Sequence, residues 1–456
     1  MADERELVEG QMAETSSSST ISTKQDEIAA LAGVEPRRVL TTLAHRIDLE
    51  WMREAYRRTR KDGAVGVDAV DRKTFEADLD DNLASLLDGL KSGRYRAPPV
   101  RRVHIDKDGG KATRPIGIPT LGDKVLQRAV VMALEPVYER DFLDCSYGFR
   151  PRRSAHDALQ RLWQGAMNFG GGWVIDLDIR GFFDNVDRTR LGQMLDGRVR
   201  DGVIRRAVGK WLNVGVMEDG AVRRLEKGTP QGGVISPLLA NIYLHEVLDT
   251  WFEKEVRPRL RRDAFLVRYA DDAVLCFADE DDARRVMEVL PRRLERFGLE
   301  LNEQKTQLVA FVPPVSDEDR RSGDRTFDFL GFTHFWRRSR TGRWIVAKKT
   351  SKVRFTRSLR SVNEWCRRHR HWSIDDQRKM LDRKLMGHYA YFGVIGNSRA
   401  LARFHYEVRR RWRYWLNRRS NRAGVTWARF ARLQARYPLA APRVMQSWKA
   451  SSAAKP

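Results

Sequence analysis

Cysteine is scarce in this chain. There are three in 456 residues, Cys145, Cys276 and Cys366, widely separated and in no C-x-x-C pair. That spacing argues against a disulfide scaffold, a zinc finger or an HNH-type zinc module, and it fits a reducing cytoplasm. A long apolar run is also lacking, so no membrane span is expected. The first ten residues, MADERELVEG, are acidic and have none of the apolar core of a secretory signal. The expected location is therefore the bacterial cytoplasm or nucleoid. Acidic residues are scarce in one region only. Residues 337–456 hold 32 Lys and Arg against 5 Asp and Glu, whereas residues 1–336 hold 53 against 56. The net charge of +24 thus comes entirely from the last quarter, which points to a polyanion, nucleic acid above all. Eight of the 13 tryptophans lie between Trp336 and Trp448. Cations interleaved with aromatics suit phosphate contact plus base stacking, although some of those rings must be core.

Along the chain, residues 1–35 contain ETSSSSTISTKQDE, polar and of low complexity, and are expected to be disordered. Helical periodicity begins near 41. The stretch SGRYRAPPVRRVHIDKDGGKATRPIGIP reads as two strands around a Gly-rich turn, and 121–139 as a helix. WVIDLDI (173–179) is a strand, 234–250 a long apolar helix, 265–277 a hairpin, and 283–297 a helix followed by a further strand. From about 350 the pattern is helical and basic. The fold class expected is α+β.

Alternation in WVIDLDI puts Asp176 and Asp178 on one face and Ile175, Leu177 and Ile179 on the other. The hairpin LVRYADDAVLCF has apolar residues on both sides of its turn, so both arms are expected to be buried. Asp178, Asp271 and Asp272 then stand at strand ends. Clustered carboxylates raise one another's pKa unless a cation neutralises them. An all-oxygen donor set favours Mg²⁺, with Mn²⁺ possible, over Zn²⁺. Two such ions serve nucleotidyl transfer. A lone D-D is usually a solvated turn, and DLDD (78–81) and DEDD (279–282) are read that way.

Seven boxes carry a resemblance. YADD (269–272) is similar to the Y-x-D-D box of reverse transcriptases, and WVIDLDIRGFFDNVD (173–187) to their first catalytic box. GTPQGGVISPLLANIYL (228–244) resembles the P-Q-G box of the group II intron type. RPIGIPTLGDKVLQ (114–127), CSYGFRPRRSAHDAL (145–159), GLELNEQKT (298–306) and FDFLGF (327–332) complete the ordered series. The chain therefore resembles group II intron-encoded reverse transcriptase/maturases over roughly residues 45–440.

The resemblance implies a right-hand polymerase. Fingers and palm would occupy 36–336, with an antiparallel sheet and helices. A helical thumb or maturase domain would occupy 337–400, and a basic nucleic-acid-binding segment 401–456. It implies Asp178 and Asp271 as principal metal ligands, Asp272 as an assistant and Asp176 in support. Phe183 falls where an aromatic lies under the incoming sugar and would select deoxynucleotides, with core packing as the rival reading. Gln231 would line the nucleotide pocket, and Gly232 and Gly233 allow close backbone approach. Arg114 would grip the triphosphate, with Lys107 or Lys111 as its partner. Lys305 would lie near the catalytic face, and Leu330 and Gly331 would form the primer grip. Arg409, Arg410, Arg411, Trp412, Arg413 and Trp415 are the candidate RNA contacts. No Cys/His cluster follows, so an endonuclease domain is not expected. The partners implied are a group II intron RNA as template and splicing substrate, a DNA primer or target, and dNTPs. Two alternatives stay open: a domesticated reverse transcriptase of the retron, diversity-generating or phage-defence type, and an RNA-binding splicing cofactor with a vestigial polymerase.

Overall fold

The structure is a computed structural model that describes residues 20–35, 38–106, 113–218, 221–223, 228, 232–316, 325–419 and 424–446. In chain order, helix α1 (20–33) is followed by α2 (Leu49–Arg57), α3 (Arg72–Ala77) and α4 (Leu79–Ser92). Strands β1 (Val100–Asp106) and β2 (Thr113–Ile118) lead to α5 (Leu121–Tyr138) and α6 (Ala155–Phe169). Next come β3 (Gly172–Leu177), β4 (Ile179–Arg180), α7 (Phe182–Asn185), α8 (Arg188–Asp196), α9 (Gly202–Leu212), β5 (Val216–Glu218) and β6 (Ala221–Arg223). Helix α10 (Ser236–Leu244) runs on into two π-helical turns, His245–Asp249 and Phe252–Val256. Hairpin β7 (Ala264–Tyr269) and β8 (Asp272–Phe277), α11 (Glu280–Glu295), β9 (Glu300–Leu301) and β10 (Gln307–Phe311) follow. The chain then forms β11 (Phe327–Phe329), β12 (Phe332–Arg338), β13 (Trp344–Thr350), α12 (Lys352–Arg368), α13 (Ile374–Phe392), α14 (Ser398–Leu416) and α15 (Trp427–Arg436). The mixture is α+β, as expected.

Contacts divide the chain into two units: Met1–Ala158 with Leu177–Gln307, and Leu159–Asp176 with Leu308–Pro456. In the first unit, β1 pairs antiparallel with β2 and parallel with β5, and β6 completes a sheet of order β2-β1-β5-β6. Helix α5 is nearly all core, with Val125, Leu126, Ala129, Val130, Ala133 and Leu134 fully buried. Disorder was expected over 1–35, but 20–33 is a helix. Ile21 and Ile28, seven residues apart on one face, are fully buried, and Gln25 donates to the Met132 carbonyl (2.9 Å). A polar composition concealed this narrow apolar stripe; residues 1–19 lie outside the described residues.

The DEDD segment also differs from the solvated turn expected. Asp279 caps α11, and Asp282 is 1% exposed because it accepts from the Arg261 and Arg262 backbone N–H groups. A carboxylate that satisfies main-chain donors is stable when buried.

In the second unit, β11, β12 and β13 form an antiparallel sheet. Ser373 caps α13 as its spacing to Asp376 predicts: its Oγ accepts from the Asp376 N–H (3.1 Å) and donates to the Asp376 carboxylate (2.6 Å). Helix α14 buries Leu401, Phe404, Val408, Trp412 and Leu416, and His388 of α13 stacks on Phe404 at 3.8 Å.

Candidate active site

Asp178 sits in the one-residue break between β3 and β4, and the NEQKT segment fastens it there. The Asn302 N–H donates to the Asp178 carbonyl (2.9 Å), and the Asn302 side-chain amide donates to Oδ2 (2.6 Å). Thr306 Oγ1 accepts from the Asp178 N–H (3.2 Å). The Lys305 ammonium stands 3.3 Å from both carboxylate oxygens while its side chain is 67% exposed. The carboxylate is thus oriented by an amide and already draws a cation onto its open edge. The sequence reading reached Lys305 alone of these three. Asn302 and Thr306 were in the same box, but nothing local to the chain says that they reach back 124 and 128 residues.

The YADD turn is held from beneath. Tyr269 pairs with Asp272, so Ala270 and Asp271 are the two loop residues of the β7–β8 hairpin. Ala270 has φ +59°, a conformation costly for a residue with a Cβ. Arg268 supplies the restraint. Its guanidinium is fully buried, and its N–H groups donate to both oxygens of fully buried Asp249 (2.7 and 2.6 Å), to Asn241 Oδ1 (2.9 Å), to Ser146 Oγ (2.8 Å) and to the Ala270 carbonyl (2.9 Å). Burial works against the guanidinium's charge, but Asp249 outweighs it and holds the pKa above its ordinary value. Asp249 comes from the first π-helical turn after α10. The CSYGFR box closes the other side: Arg268 exchanges main-chain bonds with Cys145 and Tyr147, and Asn241 donates to the Gly148 carbonyl. A Cβ on Gly148 would come within 2.3 Å of the Ala270 nitrogen. Asp271 is half-buried at the tip and Asp272, opening β8, is exposed. The sequence reading did not single out Arg268, Asp249, Asn241 or Ser146. Arg268 beside YADD was visible, but its burial was not.

Phe183 is half-buried in α7, edge-on to buried Phe182 at 5.2 Å. Gly228 (φ +79°) lies so close behind that a Cβ there would meet the Phe183 and Asp184 carbonyls at 2.6 Å. Arg114 is exposed on β2, opposite Ile105 of β1. Gly232 (φ +112°) backs onto the same strand, where a Cβ would meet the Gly117 carbonyl at 2.3 Å. The glycine therefore serves contact between two main chains of the protein. Gln127 accepts from the Ile235 N–H (3.2 Å) and donates to buried Asp123 (2.9 Å), anchoring the start of α10. Lys107, Lys111 and Gln231 lie outside the described residues.

In the second unit, Leu330 (φ +49°) and Gly331 (φ +79°) form the two-residue turn between β11 and β12. The Tyr391 hydroxyl donates to the Leu330 carbonyl (2.8 Å), which restrains a leucine in a left-handed conformation. The proposed RNA contacts divide by face. Trp412 is fully buried and its indole donates to Gln377 (2.9 Å), so it is a core residue and cannot meet RNA. Arg409 donates to Gln434, and Arg413 donates to the Val425 carbonyl and lies over Trp427 at 4.2 Å; both brace α14 against the segment that carries α15. Arg410 and Arg411 pair with Glu407, and half-buried Trp415 donates to Asn363 of α12.

Among the described residues no three His, Cys, Asp or Glu side chains converge closely enough to cage an ion unaided. The residues nevertheless fit a hard divalent cation. The donors are carboxylate oxygens, Asp178 keeps an open edge, and the ammonium that occupies it belongs to a flexible, exposed lysine.

The two boxes that resemble reverse-transcriptase boxes each hold an aspartate in place, Asp178 through its carboxylate and Asp271 through its turn, inside an α+β fold. Residues 105–334 match the family "Reverse transcriptase (RNA-dependent DNA polymerase)", and the chain belongs to it. Among its relatives are Protein YkfC of Escherichia coli K12, 34% identical over 72% of this chain and 91% of that protein, and the group II intron-encoded protein LtrA of Lactococcus lactis, 34% identical over 54% of this chain and 42% of that protein. Nuclear intron maturase 2 of Arabidopsis thaliana is 26% identical over 30% of this chain and 24% of its own length. The chain is thus of the group II intron reverse transcriptase/maturase type, and its match spans less than half of the intron-encoded protein and of the maturase. Among the described residues no helix is long and apolar enough to cross a membrane.

Proposed function

We propose that this protein is an RNA-directed DNA polymerase and maturase that binds a group II intron RNA, assists its splicing and copies it into DNA from a primer 3′-hydroxyl. The observation that carries the reading is the pair of aspartates held in place. Asp178 is clamped by Asn302 and Thr306, and the turn bearing Asp271 is tied down through Arg268. Asp178 and Asp271 would hold two Mg²⁺ ions, with Asp272 assisting. When bound, the ions acidify the primer hydroxyl and neutralise the triphosphate. Arg114 would meet the triphosphate, and the Phe183 ring would sit where a 2′-hydroxyl clashes. Leu330 and Gly331 would bring main chain up to the primer.

Primer extension on an RNA template with dNTPs and Mg²⁺ tests the reading. The wild type should extend, and Asp271→Asn should not; retained synthesis by that variant would sink the metal assignment. Phe183→Val should raise ribonucleotide incorporation relative to deoxynucleotide, and an unchanged ratio would return Phe183 to packing. Splicing promoted in Mg²⁺ by a protein that extends no primer would favour the splicing-cofactor reading instead.

A further inference from the structure

The outward face of α14 is chemically unlike its inward one. With Leu401, Phe404, Val408, Trp412 and Leu416 turned to the core, Arg403, Tyr406, Arg410 and Tyr414 line the opposite side at spacings of three and four residues, and Arg418 continues the line just past the helix end. Tyr406 is 51% and Tyr414 45% exposed, so part of each ring is open to solvent. Each carries a guanidinium: Arg410 over Tyr406 at 5.9 Å, and Arg418 over Tyr414 at 4.6 Å. The helix holds a single acid, Glu407, whose carboxylate is taken by Arg410 and Arg411. Among the described residues no carboxylate pairs with Arg403 or Arg418. The line ends in a concavity of about 810 Å³ whose wall includes Arg367, Arg368, Arg370, His371, Arg418 and Arg419 and no acidic residue.

We propose that this face is a binding track for single-stranded RNA, with phosphates held at Arg403, Arg410 and the arginine-walled concavity, and unstacked bases laid on Tyr406 and Tyr414. The proposal rests on the reading that the protein binds RNA and names the surface and the form of RNA. Charge sets the class of ligand, because the concavity gathers five arginines: Arg367 and Arg368 share Glu364, and among the described residues no carboxylate pairs with Arg370, Arg418 or Arg419. The exposed rings select single strands, because a duplex keeps its base faces stacked away while a single strand offers them. The cations at 403, 410 and 418 fall about 10–12 Å apart along the helix axis, with a tyrosine between each pair.

The test is fluorescence anisotropy of the full chain with a labelled oligouridylate and with a duplex RNA of equal length, across a salt series. Arg403→Gln/Arg418→Gln should weaken oligouridylate binding and flatten the dependence of log K on log salt by about 1.4, at roughly 0.7 for each phosphate no longer neutralised. Tyr406→Ala/Tyr414→Ala should weaken it at least about tenfold at an unchanged salt slope, leaving the duplex unaffected, and Tyr406→Phe/Tyr414→Phe should restore it. These side chains are exposed, so melting temperatures should match the wild type. Wild-type affinity and slope in both double variants would mean a merely solvated face and overturn the track. Equal losses on duplex and single strand would overturn its selectivity. Wild-type primer extension is measured separately: its absence would count against the polymerase reading and leave the track standing.

Discussion

The two acids of the YADD turn occupy different environments despite being adjacent. Asp271 is a half-buried loop residue on a restrained turn, whereas Asp272 is the exposed first residue of β8. Single-turnover primer extension should separate them. Asp271→Asn is expected to cost about 3 kcal/mol or more, on the order of a hundredfold or greater in rate, and Asp272→Asn distinctly less. Equal losses would mean that the two share the load. Beneath them, Arg268→Met should destabilise folding by about 3–5 kcal/mol, because it strands the buried Asp249 charge. Adding Asp249→Leu should recover most of the melting temperature, since an apolar pair tolerates that site. Extension should stay slow in the double variant, with a raised Mg²⁺ requirement, because nothing then donates to the Ala270 carbonyl from beneath. Full recovery of rate together with stability would assign Arg268 to folding alone.

At the scale of elements, β12 and β13 carry a buried cross-strand pair, His334 opposite Lys348. Burial, with Lys348 adding to it, pushes His334 down to about 3, and burial pushes Lys348 down to about 7. Both groups bind protons more weakly when folded, so the unfolded chain takes up more protons between each folded and unfolded pKa. Stability should therefore rise with pH from about 3 to 6.5 through His334, and again from about 7 to 10.5 through Lys348. Thermal melts over that range should show the second rise in the wild type and lose it in Lys348→Met. A rise that persists in the variant would remove Lys348 from the account. Helix α14 makes a second case. Trp412 lies on its core face beside four arginines, so Trp412→Ala should cost about 3–5 kcal/mol of stability. Counting cations and rings along 409–415 could not separate these roles; the helical phase, set by Leu401, Phe404 and Val408, does.

For the whole molecule, the proposed function assigns binding and chemistry to regions of different charge. RNA affinity should come mostly from the cation-rich last quarter, and nucleotidyl transfer from the carboxylates at 178 and 271. Chelating Mg²⁺ with EDTA at constant ionic strength should abolish extension and leave most RNA binding in place. Loss of both together would tie binding to the metal site. The positions of the catalytic boxes were legible because each is a short run of residue types in order. The hairpin, the strand ending at Leu177 and helix α5 were legible because alternation and helical periodicity are local properties. The helix at 20–33 was not, because its two isoleucines are diluted by serine, threonine and charge.

By itself the sequence determined the family, the order of the boxes, the positions of their aspartates and the location of the basic excess. All of these are properties of residue identity and spacing. Only the tertiary structure decided what holds those aspartates in place and which cations face outward. Asn302 and Thr306 reach Asp178 across more than a hundred residues, and Arg268 finds its partners at 146, 241 and 249. Its guanidinium can be buried only because all those acceptors arrive together, and no local pattern in the chain records that they do.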